Sequence, residues 1–193
     1  RRRGTHYVRM HIPVLQKEVL EYLDPKPNKN FIDCTVGHGG HALAILEKIL
    51  PRGKILGIDW SLEILKSLKT DSNLNLILVC GNFANLKEII EKYKFKSING
   101  ILFDLGMSSW HLEESGRGFS FQKKEPLDMR YSLENQLTAE KIVNYWSKFD
   151  IERVLTDYGE ERFACQIAEK IIEERKIRPI KNTFQLVEIV KKS

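Results

Sequence analysis

Three aspartates and a glycine turn are the groups in this chain whose type and spacing best suit them to chemistry. The apolar run Phe31-Ile32-Asp33-Cys34 breaks into Thr35-Val36-Gly37-His38-Gly39-Gly40-His41, and a second run, Ile55-Leu56-Gly57-Ile58, ends on Asp59. Strand, glycine turn, helix, strand, acid is the order that shapes a nucleotide pocket out of backbone. Glycines let a ligand approach the main chain, and a helix start offers N–H groups that have no intrahelical partner. An acid at the tip of the second strand can accept hydrogen bonds from a ribose diol. A third acid, Asp104, opens Asp104-Leu105-Gly106-Met107-Ser108-Ser109 and offers a carboxylate beside two hydroxyls.

The turn admits more than one ligand. Gly37-His38-Gly39-Gly40-His41-Ala42 satisfies G-x-G-x-x-A, a permitted dinucleotide fingerprint, and Asp59 follows near the expected spacing. A NAD-linked oxidoreductase is therefore one reading, although no residue stands out as its catalytic partner. Ser108 and Ser109 lack the G-x-S-x-G elbow of a nucleophile and read equally well as solvated loop serines. His38 and His41 have no metal-ligand companions, and Cys34, Cys80 and Cys165 form no C-x-x-C pair, so no metal is expected. The cysteines read as buried reduced thiols, which suits a reducing cytoplasm. Further on, Arg117-Gly118-Phe119-Ser120-Phe121 and Pro126-Leu127-Asp128-Met129-Arg130 combine aromatic and cationic groups. Phe119 and Phe121 could stack on a base, with Arg117 or Arg130 on phosphate, or the rings could pin the loop to the core.

These groups need a frame. Apolar residues at helical spacing (Val14, Leu15, Val19, Leu20, Leu23) predict a first helix. Strands are expected at residues 30–34, 54–58, 76–79 and 98–105, with helices at 39–50, 62–68 and 86–93 between them. Leu43, Ile45, Leu46 and Ile49 supply the packing face of the second helix, Ser61 caps the third, and residues 71–73 form a loop. Strands alternating with helices, each a nearly continuous apolar run, predict a parallel α/β sheet covered on both faces. Asp33, Asp59, Gly81-Asn82-Phe83 and Asp104 then fall at strand carboxyl ends, where such sheets bind ligands. In the order 3-2-1-4, strand four is an exposed apolar edge, so the sheet is expected to be incomplete here. Either the chain is a fragment, or another chain, a second copy in a homodimer included, covers that edge.

After Asp104 the character changes. Residues 110–131 read as a long functional loop without a clear period, and the rest as helices at 139–146, 151–158, 160–176 and 184–192. The expected organisation is a sheet domain over residues 10–109, the loop, a helical unit over 132–193, and an extension over 1–9.

Composition bounds the rest. The 193 residues are 42% hydrophobic, as in a globular chain. No apolar run approaches the length of a membrane span. The net charge is +5, but Arg1, Arg2, Arg3 and Arg9 supply four of the 31 basic residues, leaving 27 against 26 acidic ones. The body is near neutral, so charge alone is weak evidence of nucleic-acid binding.

Taken in order, His11-Ile12-Pro13-Val14-Leu15, Asp33-x-x-x-Gly37-x-Gly39-Gly40-His41, Asp104-Leu105-Gly106-Met107-Ser108-Ser109, Arg117-Gly118-Phe119-Ser120-Phe121, Pro126-Leu127-Asp128-Met129-Arg130 and Tyr158-Gly159-Glu160-Glu161-Arg162-Phe163-Ala164 closely resemble the bacterial ribosomal RNA small-subunit methyltransferase H family, also called MraW. The resemblance covers residues 10–193. It implies a Rossmann-like methyltransferase fold with an inserted all-helical subdomain. It also implies S-adenosylmethionine as cofactor and methylation of the exocyclic N4 of a cytidine in the ribosomal decoding region.

By that resemblance Gly39, Gly40 and His41 wrap the methionine end of the cofactor. Asp59 holds the ribose, Phe83 lies against adenine, and Asp104 contacts the cofactor. His111 stands where the family has glutamine, and Trp110-His111 replaces its usual Pro-Gln. Asp104 and Asp128 are the candidate proton acceptors for the reacting amine, and Arg117, Phe119 and Arg130 the candidate RNA contacts. The implied partner is the small ribosomal subunit, read as an assembled particle. Family members add further strands after the helical unit, so the natural protein is expected to be longer and this chain alone impaired in catalysis. A catalytically silent cofactor-binding or ribosome-assembly module is the remaining alternative.

Overall fold

The computed structural model describes residues 13–68 and 75–193. The basic start, His11-Ile12 and the loop at 71–73 lie outside the described residues. Four parallel strands, β1 (Asn30–Asp33), β2 (Ile55–Asp59), β3 (Leu76–Cys80) and β4 (Ile98–Leu102), form one sheet in the order β3-β2-β1-β4. Register places Phe31 beside Ile55, Asp33 beside Gly57 and Leu102, and Asp59 beside Cys80. Their carboxyl ends therefore share one edge.

Both faces are covered, which explains why β1 and β2 read as unbroken apolar runs. On one face, Phe31 and Ile55 pack with Ala42, Ile45, Leu46 and Ile49 of α2 (Gly40–Ile49), and Leu20 and Leu23 of α1 (Gln16–Leu23) join them. On the other, Ile32, Leu56, Ile58 and Val79 meet Ile89 of α4 (Leu86–Lys92) and Phe95. Between β2 and β3 lies α3 (Leu62–Ser67), whose start is capped by Ser61 accepting from the Ile64 amide. A single 3-10 turn, Phe83–Asn85, leads into α4.

Several expectations need correction. Val14 and Leu15 precede α1 and are exposed, and α1 buries no residue fully. Leu43 points off the packed face of α2. Strand four ends at Leu102, so Phe103 and Asp104 lie on the segment leaving it. Cys34 is buried, but Cys80 and Cys165 are exposed. Among the described residues β4 pairs with β1 alone, and Ile101 on the strand and Phe103 just after it are exposed.

The chain divides into two compact units between Gly106 and Met107. The second holds α5 (Ser109–Glu113), α6 (Ala139–Tyr145), α7 (Lys148–Asp157), α8 (Ala164–Ile177) and α9 (Thr183–Lys191). Helix α5 overlaps the start of the stretch at 110–131 that was read as a loop. Helix α7 starts earlier than the apolar pattern suggests, because Ser147 caps it by accepting from the Asp150 amide. Helix α8 starts later, after a turn in which Glu160 adopts a positive φ. Leu127, Val143, Ile151, Ile167, Ala168, Ile171, Ile180 and Ile189 form this unit's own core.

Candidate functional site

Local sequence explains the turn after β1. The chain must reverse from strand into helix within a few residues, and Gly37 (φ 51°) and Gly39 (φ 83°) take left-handed conformations that side chains disfavour. Gly40 is required for space: a Cβ there would sit 2.4 Å from Pro13 Cγ. Gly39 is the N-cap of α2 and brings no side-chain cap to that helix. The first turn of α2 thus offers backbone donors and the positive end of the helix dipole to a negatively charged group.

Asp59 closes the same corner from β2. Its Oδ2 accepts from the Gly37 amide at 2.9 Å and its Oδ1 from the Ser61 amide at 2.8 Å. Each carboxylate oxygen keeps a further lone pair, as a ribose diol requires. From the far side, the Asp104 amide donates to Thr35 Oγ1 at 2.8 Å, binding the exit of β4 to that of β1. Asp104 Oδ2 lies 3.7 Å from His41 Nε2. After β3, Phe83 meets Phe103 edge to face, with ring centroids 5.5 Å apart and both rings partly exposed. The structure thus gathers Gly39, Gly40, His41, Asp59, Phe83 and Asp104 at the carboxyl edge of the sheet.

Two more residues of this edge were given no role in cofactor binding by the sequence. Phe103 is one; it was read as strand interior, and only the early end of β4 frees its ring. The other is Asp33, only 2% exposed, whose Oδ1 accepts from the Thr35 amide at 3.1 Å. Burial pushes its pKa up to about 7; the Thr35 amide works against this, and the nearby Asp104 and Asp59 charges add to it. Its strand-tip position was visible in sequence, but its burial was not.

The second unit treats its candidates differently. His111 is 4% exposed and sits in an aromatic cluster with Trp110, Phe119 and Tyr131. Its Nδ1 lies 2.8 Å from Ser108 Oγ and accepts from the Ser108 amide, completing the cap of α5. That is an interior task, so its cofactor role draws no support from this geometry. Phe119 is likewise buried against His111 and Tyr131, which is the pinned-loop alternative, whereas Phe121 is exposed.

Arg117 lies over the Trp110 ring and donates to the Arg130 and Tyr131 carbonyls. Arg130 binds both oxygens of Asp128, at 2.8 and 2.7 Å, and donates to the Leu133 and Asn135 carbonyls. The bond from Arg130 holds the Asp128 carboxyl below its ordinary range, which makes it a weak proton acceptor. Arg117, Phe119 and Arg130 therefore carry structural duties in this unit.

Fold and site together define a parallel α/β protein whose strand tips build a crevice suited to a nucleoside-bearing ligand. The chain matches the MraW methylase family over residues 8–193 and belongs to it. It is 40% identical to the Ribosomal RNA small subunit methyltransferase H of Clostridium botulinum (strain Kyoto / Type A2), covering 95% of this chain and 60% of that protein. Identity is 43% with the protein of the same name from Thermosipho melanesiensis, covering 95% and 62%. With that of Halothermothrix orenii it is 44%, covering 94% and 59%. The chain therefore spans about three fifths of the length of these relatives. A solved protein-L-isoaspartate O-methyltransferase overlays 36% of this chain and 23% of its own at 20% identity and a TM-score of 0.33, too partial to carry weight. Membership of a methylase family leaves the NAD-linked reading without support. Among the described residues, no helix is long and apolar enough to cross a membrane and no group of metal-ligating side chains is gathered.

Proposed function

We propose that this chain binds S-adenosylmethionine and serves methylation of the exocyclic N4 of a cytidine in the decoding region of small-subunit ribosomal RNA. The bond between the Gly37 amide and Asp59 Oδ2 carries the reading, because it points the ribose acceptor and the glycine turn into one crevice. The names of the relatives, each a ribosomal RNA small subunit methyltransferase, support the substrate class. The partner in this reading is the small ribosomal subunit, and the compartment is the cytoplasm.

The residues fit the cofactor. The α2 start, uncapped by any side chain, suits a carboxylate; Asp59 suits a ribose diol; Phe83 and Phe103 offer an aromatic corner to adenine. When bound, the cofactor supplies a methyl group activated by its sulfonium charge. Everything else falls to the chain. Gly39, Gly40 and His41 orient the methionine end, and Asp104 provides a negative field beside it. Asp104, partly exposed, is the better placed acid to accept a hydrogen bond from the cytosine amine and then its proton, since Arg130 already occupies Asp128. In this reading the first unit holds the cofactor and the helical unit reads RNA.

Calorimetric titration with S-adenosylhomocysteine, with NAD as the comparison, tests the cofactor. Saturable binding of the first and not the second is expected. Methyl transfer from labelled S-adenosylmethionine to small subunits tests the substrate. Binding of NAD alone would overturn the reading.

A further inference from the structure

One feature of the helical unit serves none of the roles above. A cleft of about 370 Å³ opens between the end of α8 and the length of α9. Lys124, Arg178 and Lys192 line it, together with the exposed ring of Phe184, over a floor that includes Ile180 and Ile189. Within the described residues, no carboxylate lies within ion-pair reach of any of the three cations. Two acids also line the cleft: Glu188, which pairs with Lys191 at 3.2 Å, and Glu174.

The cleft is rigidly made. Asn144 pins the α8–α9 connection from both sides, accepting from the Ile180 amide at 2.9 Å and donating to the Ile180 carbonyl at 2.7 Å. Lys124 is held against the start of α9 by its neighbours. The Glu125 amide donates to Thr183 Oγ1, the Thr183 amide donates to the Glu125 carbonyl, and the Thr183 hydroxyl donates to the Lys123 carbonyl. Pro126 and Asn182 add a β-bridge. Gly118 permits this closeness, since a Cβ there would meet the Pro126 carbonyl at 2.2 Å. Segments distant in sequence are thus locked so that Lys124, Arg178, Lys192 and Phe184 line one cleft.

We propose that this cleft binds single-stranded RNA, with Lys124, Arg178 and Lys192 on successive phosphates and Phe184 stacked on a base. The proposal rests on the rRNA reading above and names the surface by which the helical unit holds its substrate. Three unpaired cations suit a polyanion, and a partly exposed ring beside them suits a nucleobase, which an acidic peptide lacks. The near-neutral charge of the body that follows the basic start is consistent, because the attraction is local and involves few phosphates.

The test is fluorescence-anisotropy titration of a single-stranded RNA of about ten nucleotides at several salt concentrations, using the whole chain. Lys124→Ala/Arg178→Ala/Lys192→Ala is expected to weaken binding at least ~10-fold at low salt and to reduce the log–log salt slope by about 2, since each phosphate contact contributes about 0.7 on single strands. Phe184→Ala should weaken binding several-fold and leave the slope unchanged. All four positions lie at the surface, and circular dichroism checks folding. An unchanged slope in the triple variant, no RNA binding by the parent chain, or equal binding of a poly-glutamate peptide would each overturn the proposal. S-adenosylhomocysteine titration of the same variants separates the two readings: affinity equal to the parent's is expected, and loss of cofactor binding by the parent itself is a failure of the methyltransferase reading, not of the cleft.

Discussion

The Gly37 amide donates to Asp59 Oδ2 at 2.9 Å, so the acid that ends β2 also fixes the turn that ends β1. One side chain thereby has two tasks, shaping the turn and facing the crevice. Asp59→Ala removes the acceptor for both Gly37 and Ser61. Stability is expected to fall by roughly 1–3 kcal/mol, the usual cost of stranding such donors. S-adenosylhomocysteine affinity is expected to fall at least ~10-fold. Urea denaturation and calorimetry measure the two separately. Lost stability with unchanged affinity would restrict Asp59 to the turn.

Gly39 and Gly40 are adjacent, but they are glycine for different reasons. At Gly39 the backbone φ of 83° is the obstacle, and a Cβ would also meet Leu68 Cδ1 at 2.7 Å. Gly39→Ala should cost about 1–2 kcal/mol from the left-handed conformation alone. At Gly40 the obstacle is the Pro13 ring. The double variant Gly40→Ala/Pro13→Ala should therefore recover much of the stability lost by Gly40→Ala, whereas Pro13→Ala should not help Gly39→Ala. Four denaturation curves complete that cycle.

Asp33 makes stability fall as pH rises. Its pKa is about 7 when folded and 3.8 ordinarily, so the folded state holds a proton that the unfolded chain has released. The contribution is fully present below about pH 4, declines between the two values, and is gone above about pH 7. Asp33→Asn keeps an acceptor for the Thr35 amide and carries no charge. At pH 8 it should stabilise the first unit, by an amount on the order of a few kcal/mol, and at pH 4 it should be close to neutral. Thermal melts of both proteins across that range decide it; a parallel pH dependence would show that the charge on Asp33 does not matter.

Much of this frame was legible in the sequence because the signals are local. Glycines at a strand–helix junction, apolar runs of strand length and a cap at Ser61 act within a few residues, and the order β3-β2-β1-β4 follows from parallel crossovers. The misses involve residues far apart in the chain. Strand β4 ends early where the Asp104 amide turns to Thr35, 69 residues away, and that exposes Phe103. His111 stands by resemblance at a cofactor-contact position, and its ring fills an interior shared with Phe119 and Tyr131 that no local pattern announces. Cys80, read as a buried thiol, ends β3 and is exposed, because which face of a strand tip is covered depends on neighbours that periodicity does not name.

Asp128 and Asp104 were equal candidates for accepting the amine proton, and their surroundings separate them. Arg130 donates to both oxygens of Asp128 and holds its carboxyl ionised to lower pH than usual. A group that binds its proton so weakly is a poor base near neutral pH. Its contribution is to stability: present above the ordinary carboxylate range, and lost as pH falls through its depressed value. Asp128→Asn should cost about 1–3 kcal/mol at pH 7 and much less in acid. Any effect on methyl transfer should be modest, and largely on KM for the ribosomal particle. Asp104→Asn should do the reverse, leaving stability nearly unchanged and lowering kcat at least ~100-fold, as removal of a positioned proton acceptor does. Its effect on S-adenosylhomocysteine affinity should be no more than several-fold. If Asp128→Asn instead abolishes kcat while Asp104→Asn does not, the ion pair with Arg130 must open during turnover and the roles of the two acids are exchanged.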